Sequence, residues 1–210
     1  MRLTRRLNQL RRFDRRFKRL GYRRLAGVDE AGRGPLAGPV VACAVLLRDA
    51  RFTVRVDDSK RLTPRARQRA FREILAKAEV GLGIRHPEVI DTLNIFHATL
   101  AAMREAVLRL PRPPDCLLID GPWDLPQVKL RTMPVVHGDR RSLSVACASI
   151  VAKVVRDHLM TWYDRRHPGY GFARHKGYPT AAHLAHLAAH GPTPIHRRSF
   201  APVARLLVHG

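Results

Sequence analysis

Apolar positions recur along this chain with two different periods, and the period separates its helices from its strands. Over residues 1–20, Leu3, Leu7, Leu10, Phe13, Phe17 and Leu20 return every three or four residues with arginines on the other faces. That spacing predicts a basic amphipathic helix. Leu25–Glu30 and Pro39–Leu47 are short, nearly unbroken apolar runs joined by a glycine-rich segment, the pattern of two buried strands. Thr63 as N-cap with Pro64 at the first helical position opens a helix over Pro64–Ala78. Val80–Arg85 predicts a strand, and Asn94–Leu110 an amphipathic helix stopped by Pro111, Pro113 and Pro114. Cys116–Asp120 predicts a short strand ended by Gly121 and Pro122, and Gln127–Thr132 a further strand. Ser142–Tyr163 predicts a long helix and Thr180–Ala189 a shorter one. Two strands followed by alternating strand and helix predict an α/β domain with a mixed sheet.

Composition bounds this picture. The chain of 210 residues suits one domain, or one domain with a small appendage. No apolar stretch approaches the roughly 18–20 residues of a membrane span, and the basic N-terminus lacks the apolar core of a signal peptide. Cys43, Cys116 and Cys147 are odd in number, widely spaced and set in apolar runs, which predicts buried reduced thiols of a cytoplasmic protein. Net charge is +22, of which residues 1–24 carry +10, so the excess belongs to the whole chain. A polyanionic partner follows, nucleic acid ahead of a membrane surface. Arginine outnumbers lysine 33 to 6, a bias that genome composition also produces. The N-terminal helix has three readings: a nucleic-acid arm, a membrane-surface helix, or a helix packed on the domain.

Four acids stand out by position. Asp29 and Glu30 end the first predicted strand, Asp120 ends the "LLID" strand, and Asp157 lies in a mostly apolar helix. Strand ends are where α/β sheets carry their chemistry. A helix packed across that end would bring all four together, and such like charges need cations among them. Oxygen donors without His or Cys favour hard ions, Mg²⁺ or Mn²⁺. Two ions about 3.5–4 Å apart serve phosphodiester cleavage. Taken singly, Asp120 also suits a turn residue bonding its own backbone, and Asp157 suits pairing with Lys153 or Arg156. His183, His186 and His190 have helical spacing without the acid or cysteine pattern of a zinc site.

Seven blocks in order carry a resemblance: "GVDEAGRGPLAGPVVA", "DDSKRLTPRAR", "LNIFHATLAAM", "LLIDG", "GDRRSLSVACASIVAKVVRD", "GYGFARHKGYPT" and "HRRSFAPV". Together, from about Phe13 to Val203, they resemble ribonuclease HII, an enzyme of RNA/DNA hybrids. The resemblance implies a ribonuclease-H-like mixed β-sheet flanked by helices, with a small helical C-terminal region. It implies a basic N-terminal segment over 1–24, a catalytic domain over 25–165, and a region over 166–210 that completes the substrate site. Its catalytic and metal-binding residues fall on Asp29, Glu30, Asp120 and Asp157, holding two Mn²⁺ or Mg²⁺ ions. Its substrate contacts fall on Gly32, Arg33 and Gly34, whose backbone senses the 2′-hydroxyl, on Ser59, Lys60 and Lys153 near the scissile phosphate, and on Tyr178, stacked on the sugar after the ribonucleotide. Glycine permits such close backbone approach, and the 2′-hydroxyl is what separates RNA from DNA.

The implied activity is cleavage of the RNA strand of hybrids and 5′ of ribonucleotides embedded in DNA, leaving 3′-hydroxyl and 5′-phosphate ends, by a monomer acting in the cytoplasm. Arg33 and the short N-terminal segment favour ribonuclease HII over the sibling ribonuclease HIII. Pro122-Trp123 departs from the resemblance, since asparagine is common after the aspartate–glycine pair. Cys147 stands where alanine is more frequent. The rival readings are a DNA-acting nuclease of related fold, such as a resolvase or transposase core, and a non-catalytic hybrid-binding module.

Overall fold

The computed structural model describes residues 2–208, with side chains from Arg5 onward. Met1, His209 and Gly210 lie outside the described residues, as does the side chain of Leu3, the first member of the N-terminal apolar stripe. Five strands form one mixed sheet: β1 (Leu25–Ala31), β2 (Val40–Leu47), β3 (Ala78–Arg85), β4 (Cys116–Asp120) and β5 (Arg131–Val135). Their order is β3-β2-β1-β4-β5. β1 pairs antiparallel with β2 and parallel with β4; β2 pairs antiparallel with β3, and β4 parallel with β5.

β2 reads as an unbroken apolar run because both faces are covered. Cys43 and Val45 face a core shared with α2 (Pro64–Lys77) and α4 (Leu143–Arg166). Ala42, Ala44 and Leu46 face a second core built on α3 (Pro87–Leu108). Thr63 caps α2, its hydroxyl accepting from the Ala66 amide at 3.3 Å, and Ser142 caps α4 at Val145 with 3.2 Å.

The N-terminal helix α1 (Arg2–Arg19) is packed on the domain by its apolar face. Leu7 and Leu10 are buried in the first core, and Phe13 and Phe17 pack beside Leu25 and Cys116. Asp14 accepts from the Ser144 amide at 2.9 Å, capping α4 across the interface. Leu20 leaves the stripe: it is exposed, one residue beyond the helix.

Most boundaries shift by one to three residues, and three departures from the sequence reading are larger. The last strand is Arg131–Val135, not Gln127–Thr132, because its register against β4 sets Ile119 opposite Pro134 and Asp120 opposite Val135. α3 begins at Pro87 and breaks at Asn94, which has φ 62°. The Asn94 side chain then caps a restarted helix, accepting from the amides of Phe96 and His97 at 3.0 and 3.1 Å. The C-terminal region holds α6 (Ala181–His190), a one-turn helix α5 over Phe172–His175, and α7 (Ala201–Val208); α5 and α7 have no periodic signal in the sequence. This region is stitched to the β1–β2 connection by backbone bonds from Leu36 to Gly177, Gly38 to Ile195 and Arg197 to Leu36, each 2.8 Å.

Candidate active site

β1 carries Asp29 and Glu30 at its C-terminal end, and register sets Val28 opposite Ile119 of β4. One step further along both strands, Asp29 and Asp120 are neighbours. α4 crosses this edge in direct contact with β1. A Cβ on Gly27 would fall 2.2 Å from the backbone at Ser144 and Val145, so only glycine permits the approach. Asp29, Glu30 and Asp120 thereby share one cleft of about 690 Å³ with Ser59, Lys60, Lys153 and Tyr178.

The carboxylates are poorly compensated by the protein itself. Asp29 is buried and accepts from the Glu30 amide at 2.7 Å. Burial holds its carboxyl well above the usual range, and Glu30 and Asp120 add to the shift. Glu30 is raised by burial, an effect that Arg33, 3.6 Å away, opposes and Asp120 reinforces. Asp120 accepts from the Gly138 amide at 2.6 Å, a bond across to the next loop rather than to its own turn.

Asp157 stands apart from the other three. It lies on α4 one turn beyond Lys153, whose ammonium donates to it at 2.7 Å, and Arg67 approaches it at 3.4 Å. It lines an adjoining groove with Arg67 and Lys176. Among the described residues, no three His, Cys, Asp or Glu side chains form a ready-made metal cage. The donor chemistry nevertheless fits hard cations. Asp29, Glu30 and Asp120 offer only oxygen, and their mutual repulsion under burial is what a divalent ion would reverse.

The loop after β1 is held from behind by two buried guanidiniums whose hydrogen bonds go to backbone carbonyls. Arg197 donates to the carbonyls of Gly32 (2.6 Å), Arg33 (2.9 Å) and Gly38 (2.9 Å). Arg156 donates to those of Pro39 (2.9 Å), Ala37 (3.1 Å) and Lys176 (3.0 Å). Burial pushes Arg197 down to about 9 and Arg156 to about 10, so both stay charged at neutral pH. In a trans peptide the N–H points opposite to its C=O. With the Gly32 and Arg33 carbonyls turned inward, the amides of Arg33 and Gly34 turn toward the cleft. Gly32 has φ 101°, and a Cβ there would meet Arg156 at 2.0 Å.

Tyr178 forms the far wall, part-exposed, with its ring 3.7 Å from where a Cβ of Gly34 would stand. Its backbone is anchored by histidines. His196 Nδ1 accepts from the Thr193 amide at 2.9 Å, so its Nε2 carries the proton and donates to His183 Nε2 at 3.0 Å. His183 Nδ1 then donates to the Tyr178 carbonyl at 2.9 Å. Both rings are buried and neutral; burial pushes His196 down to about 4, assisted by His183. His183, which helical spacing alone groups with His186 and His190, thus belongs to a fixed hydrogen-bond relay.

Ser59 lies at the base of the cleft, its hydroxyl 3.0 Å from that of Ser149. Lys60 is exposed at the rim, its amide bound by Asp58 at 2.9 Å. Sequence reasoning misses Asp139, a further acid of the cleft, raised to about 6 by burial first and then by Asp120 and Asp58. Its signal is present in the "GDRR" block, next to the glycine that bonds Asp120. Arg156 and Arg197 give no signal, because most of their partners are carbonyls far away in sequence.

Comparisons with known proteins identify the family. The ribonuclease HII family model matches residues 26–203. The chain is 54% identical over 189 residues to a ribonuclease HII of Geobacter sulfurreducens, covering 90% of this chain and 87% of that one. It is 49% identical over 209 residues to a ribonuclease HII of Geobacillus kaustophilus, covering 98% and 78%. The crystal structure of ribonuclease H2 from Pyrococcus horikoshii shares the fold with a TM-score of 0.76 at 23% identity, covering 89% of this chain and 98% of that one. By its family model and by its identity to these relatives over nearly its whole length, the chain belongs to the ribonuclease HII family and is a ribonuclease H endonuclease.

Proposed function

We propose that this enzyme cuts the RNA strand of RNA/DNA hybrids and cuts 5′ of single ribonucleotides embedded in duplex DNA, leaving 3′-hydroxyl and 5′-phosphate ends. The observation that carries this reading is the sharing of one cleft by three carboxylates at strand ends, the inward-held loop of Gly32, Arg33 and Gly34, and Tyr178. A 2′-hydroxyl placed against the Arg33 and Gly34 amides would find donors whose direction Arg197 fixes. Tyr178, backed by the His183–His196 relay, offers a flat ring to the following sugar. Lys60 and Lys153 supply positive charge beside the scissile phosphate.

Asp29, Glu30 and Asp120 would hold two divalent ions, Mg²⁺ or Mn²⁺, with Asp157 joining from α4 once its partners Lys153 and Arg67 turn to phosphate. Such ions lower the pKa of a water and offset charge on the leaving oxygen. The protein's own part is to align the strand, restrict rotation of the scissile phosphate and hold the carboxylates close together, their repulsion left for the ions to offset. Residues from 166 onward complete the site by supplying Tyr178 and Arg197. None of the described helices is long and apolar enough to cross a membrane. The +22 charge supports action on nucleic acid, in this reading by a cytoplasmic monomer.

The test compares three labelled duplexes with Mg²⁺ or Mn²⁺: one embedded ribonucleotide, an RNA/DNA hybrid, and all-DNA. Cleavage of the first two, lost in Asp120→Asn, is expected. Equal cutting of all-DNA would assign the site to a DNA nuclease, and binding without cutting would assign it to a hybrid-binding module.

A further inference from the structure

Beyond Asp120 the chain turns at Gly121, which has φ 99°, and passes Pro122 to reach Trp123. Trp123 is 55% exposed, an unusual state for so large an apolar ring. It is held in place: Phe96 meets it edge-on with ring centroids 5.4 Å apart. Phe96 is itself fixed at the start of the helix that Asn94 caps. Between the two rings and the carboxylates runs a narrow groove of about 60 Å³, bordered by Glu30, Arg33, Asp120 and Met103. The first three of those residues also line the catalytic cleft.

The cleft therefore has one aromatic ring, Tyr178, in its wall and a second, Trp123, in the groove that adjoins it. From one end to the other, Tyr178 stands against Gly34, Arg33 pairs with Glu30, Glu30 couples to Asp120, and Trp123 lies three residues past Asp120. On the reading of the cleft given above, which this inference rests on, the substrate strand has a matching order. The sugar after the ribonucleotide lies at Tyr178, the ribonucleotide at the glycine loop, and the scissile phosphate at the carboxylates. The next group along the strand is the nucleotide that leaves with the 3′-hydroxyl.

We infer that Trp123, backed by Phe96, packs its indole against the sugar of that upstream nucleotide and fixes the strand on the leaving-group side. A sugar is favoured over a base because the bases of a duplex are paired and stacked, and extruding one is costly. The exposed face of a fixed indole against the apolar side of a deoxyribose needs no such rearrangement. Trp123 is thus a substrate-positioning residue, paired functionally with Tyr178 on the opposite side of the cut.

The experiment is an equilibrium binding cycle in Ca²⁺, followed by cleavage in Mg²⁺ or Mn²⁺. The variants are Trp123→Ala and Trp123→Phe. One duplex carries a single ribonucleotide. A second replaces the nucleotide immediately 5′ of it by a propanediol unit, which keeps the phosphates but lacks ring and base. Trp123→Ala should weaken binding of the intact duplex by about 5- to 30-fold, within the range of one stacking interaction. Trp123→Phe should recover most of that loss. On the propanediol duplex, wild type and Trp123→Ala should bind alike. Equal losses on both duplexes, or no loss on the intact one, would overturn the inference. Failure of the underlying reading looks different: wild type would show no preference for the ribonucleotide duplex over all-DNA. The propanediol comparison would then be read on the all-DNA duplex, where a Trp123→Ala loss independent of the propanediol would again reject the packing of indole on sugar.

Discussion

Replacing His196 by Gln tests whether the relay behind Tyr178 is as rigid and neutral as its bonds require. His196 is 2% exposed, faces His183 at 3.0 Å, and has Tyr170 and Phe172 against its ring, with His167 and His175 nearby. The titratable neighbours that shape its proton affinity are other histidines, so protonation meets repulsion as well as burial. That affinity is pushed down to about 4, against 6.5 for a free imidazole. The unfolded chain therefore takes the proton first. The stability tied to a neutral His196 is complete above pH 6.5, declines as pH falls from 6.5 toward 4, and loses nothing further below. At about 1.4 kcal/mol per pH unit, the loss by pH 4.5 is about 2–3 kcal/mol. His196→Gln lacks this linkage while keeping an acceptor for the Thr193 amide. Urea unfolding of metal-free wild type and variant, stepped from about pH 7.5 to 4.5, isolates the effect of the His183–His196 pair, because groups away from it titrate equally in both. The stability difference should move in favour of the variant by about that amount across the range. A difference constant to within about 0.5 kcal/mol would refute the neutral buried relay.

Three further outcomes follow from the site and the arm. Asp29→Asn should abolish cleavage yet raise the melting temperature of the metal-free protein, since it removes a buried charge set against Glu30 and Asp120; a lower melting temperature with retained activity would contradict this. Arg197→Met should cost about 2–4 kcal/mol and remove discrimination between the ribonucleotide duplex and all-DNA, because three carbonyls would be left without their charged donor. Arg197→Lys should not restore it, as a single ammonium cannot span them; a lysine variant with full discrimination would sink this role. Replacing Arg12, Arg15, Arg16 and Arg19 by Gln on the exposed face of α1 should flatten the salt dependence of duplex binding, by about 0.9 in log–log slope for each phosphate these arginines neutralise; an unchanged slope would leave α1 a purely structural helix. Truncating residues 1–12 would be a poorer test, because Leu7 and Leu10 belong to the core.

The sheet is legible where one residue pattern has one interpretation. The continuous apolar run of β2 and the "CLLID" strand are buried on both faces, and Thr63-Pro64 is a helix start by its own chemistry. β5 is misplaced by sequence reasoning because its residues Arg131–Val135 are mostly part-exposed and include a proline, so its position is decided by pairing with β4. The break in α3 is hidden by apolar residues on both sides of Asn94, whose left-handed backbone only the structure shows. Asp29, Glu30 and Asp120 are legible as acids at strand ends. The pairing of Asp157 with Lys153 is legible from their spacing, while its contact with Arg67, 90 residues away, is not. The guanidiniums of Arg156 and Arg197 and the His183–His196 pair are illegible for the same reason. Each acts through a partner that folding alone brings near.

The sharpest measurement is the mass of the products from a duplex with one embedded ribonucleotide. Cutting should fall between the upstream deoxynucleotide and the ribonucleotide, giving one fragment with a 3′-hydroxyl and one beginning with a 5′-phosphorylated ribonucleotide. It should require Mg²⁺ or Mn²⁺ and vanish in Asp120→Asn. A cut on the 3′ side of the ribonucleotide, leaving a 2′,3′-cyclic phosphate and persisting in Asp120→Asn, would show that the 2′-hydroxyl attacks rather than is sensed, and would contradict the mechanism proposed for this cleft.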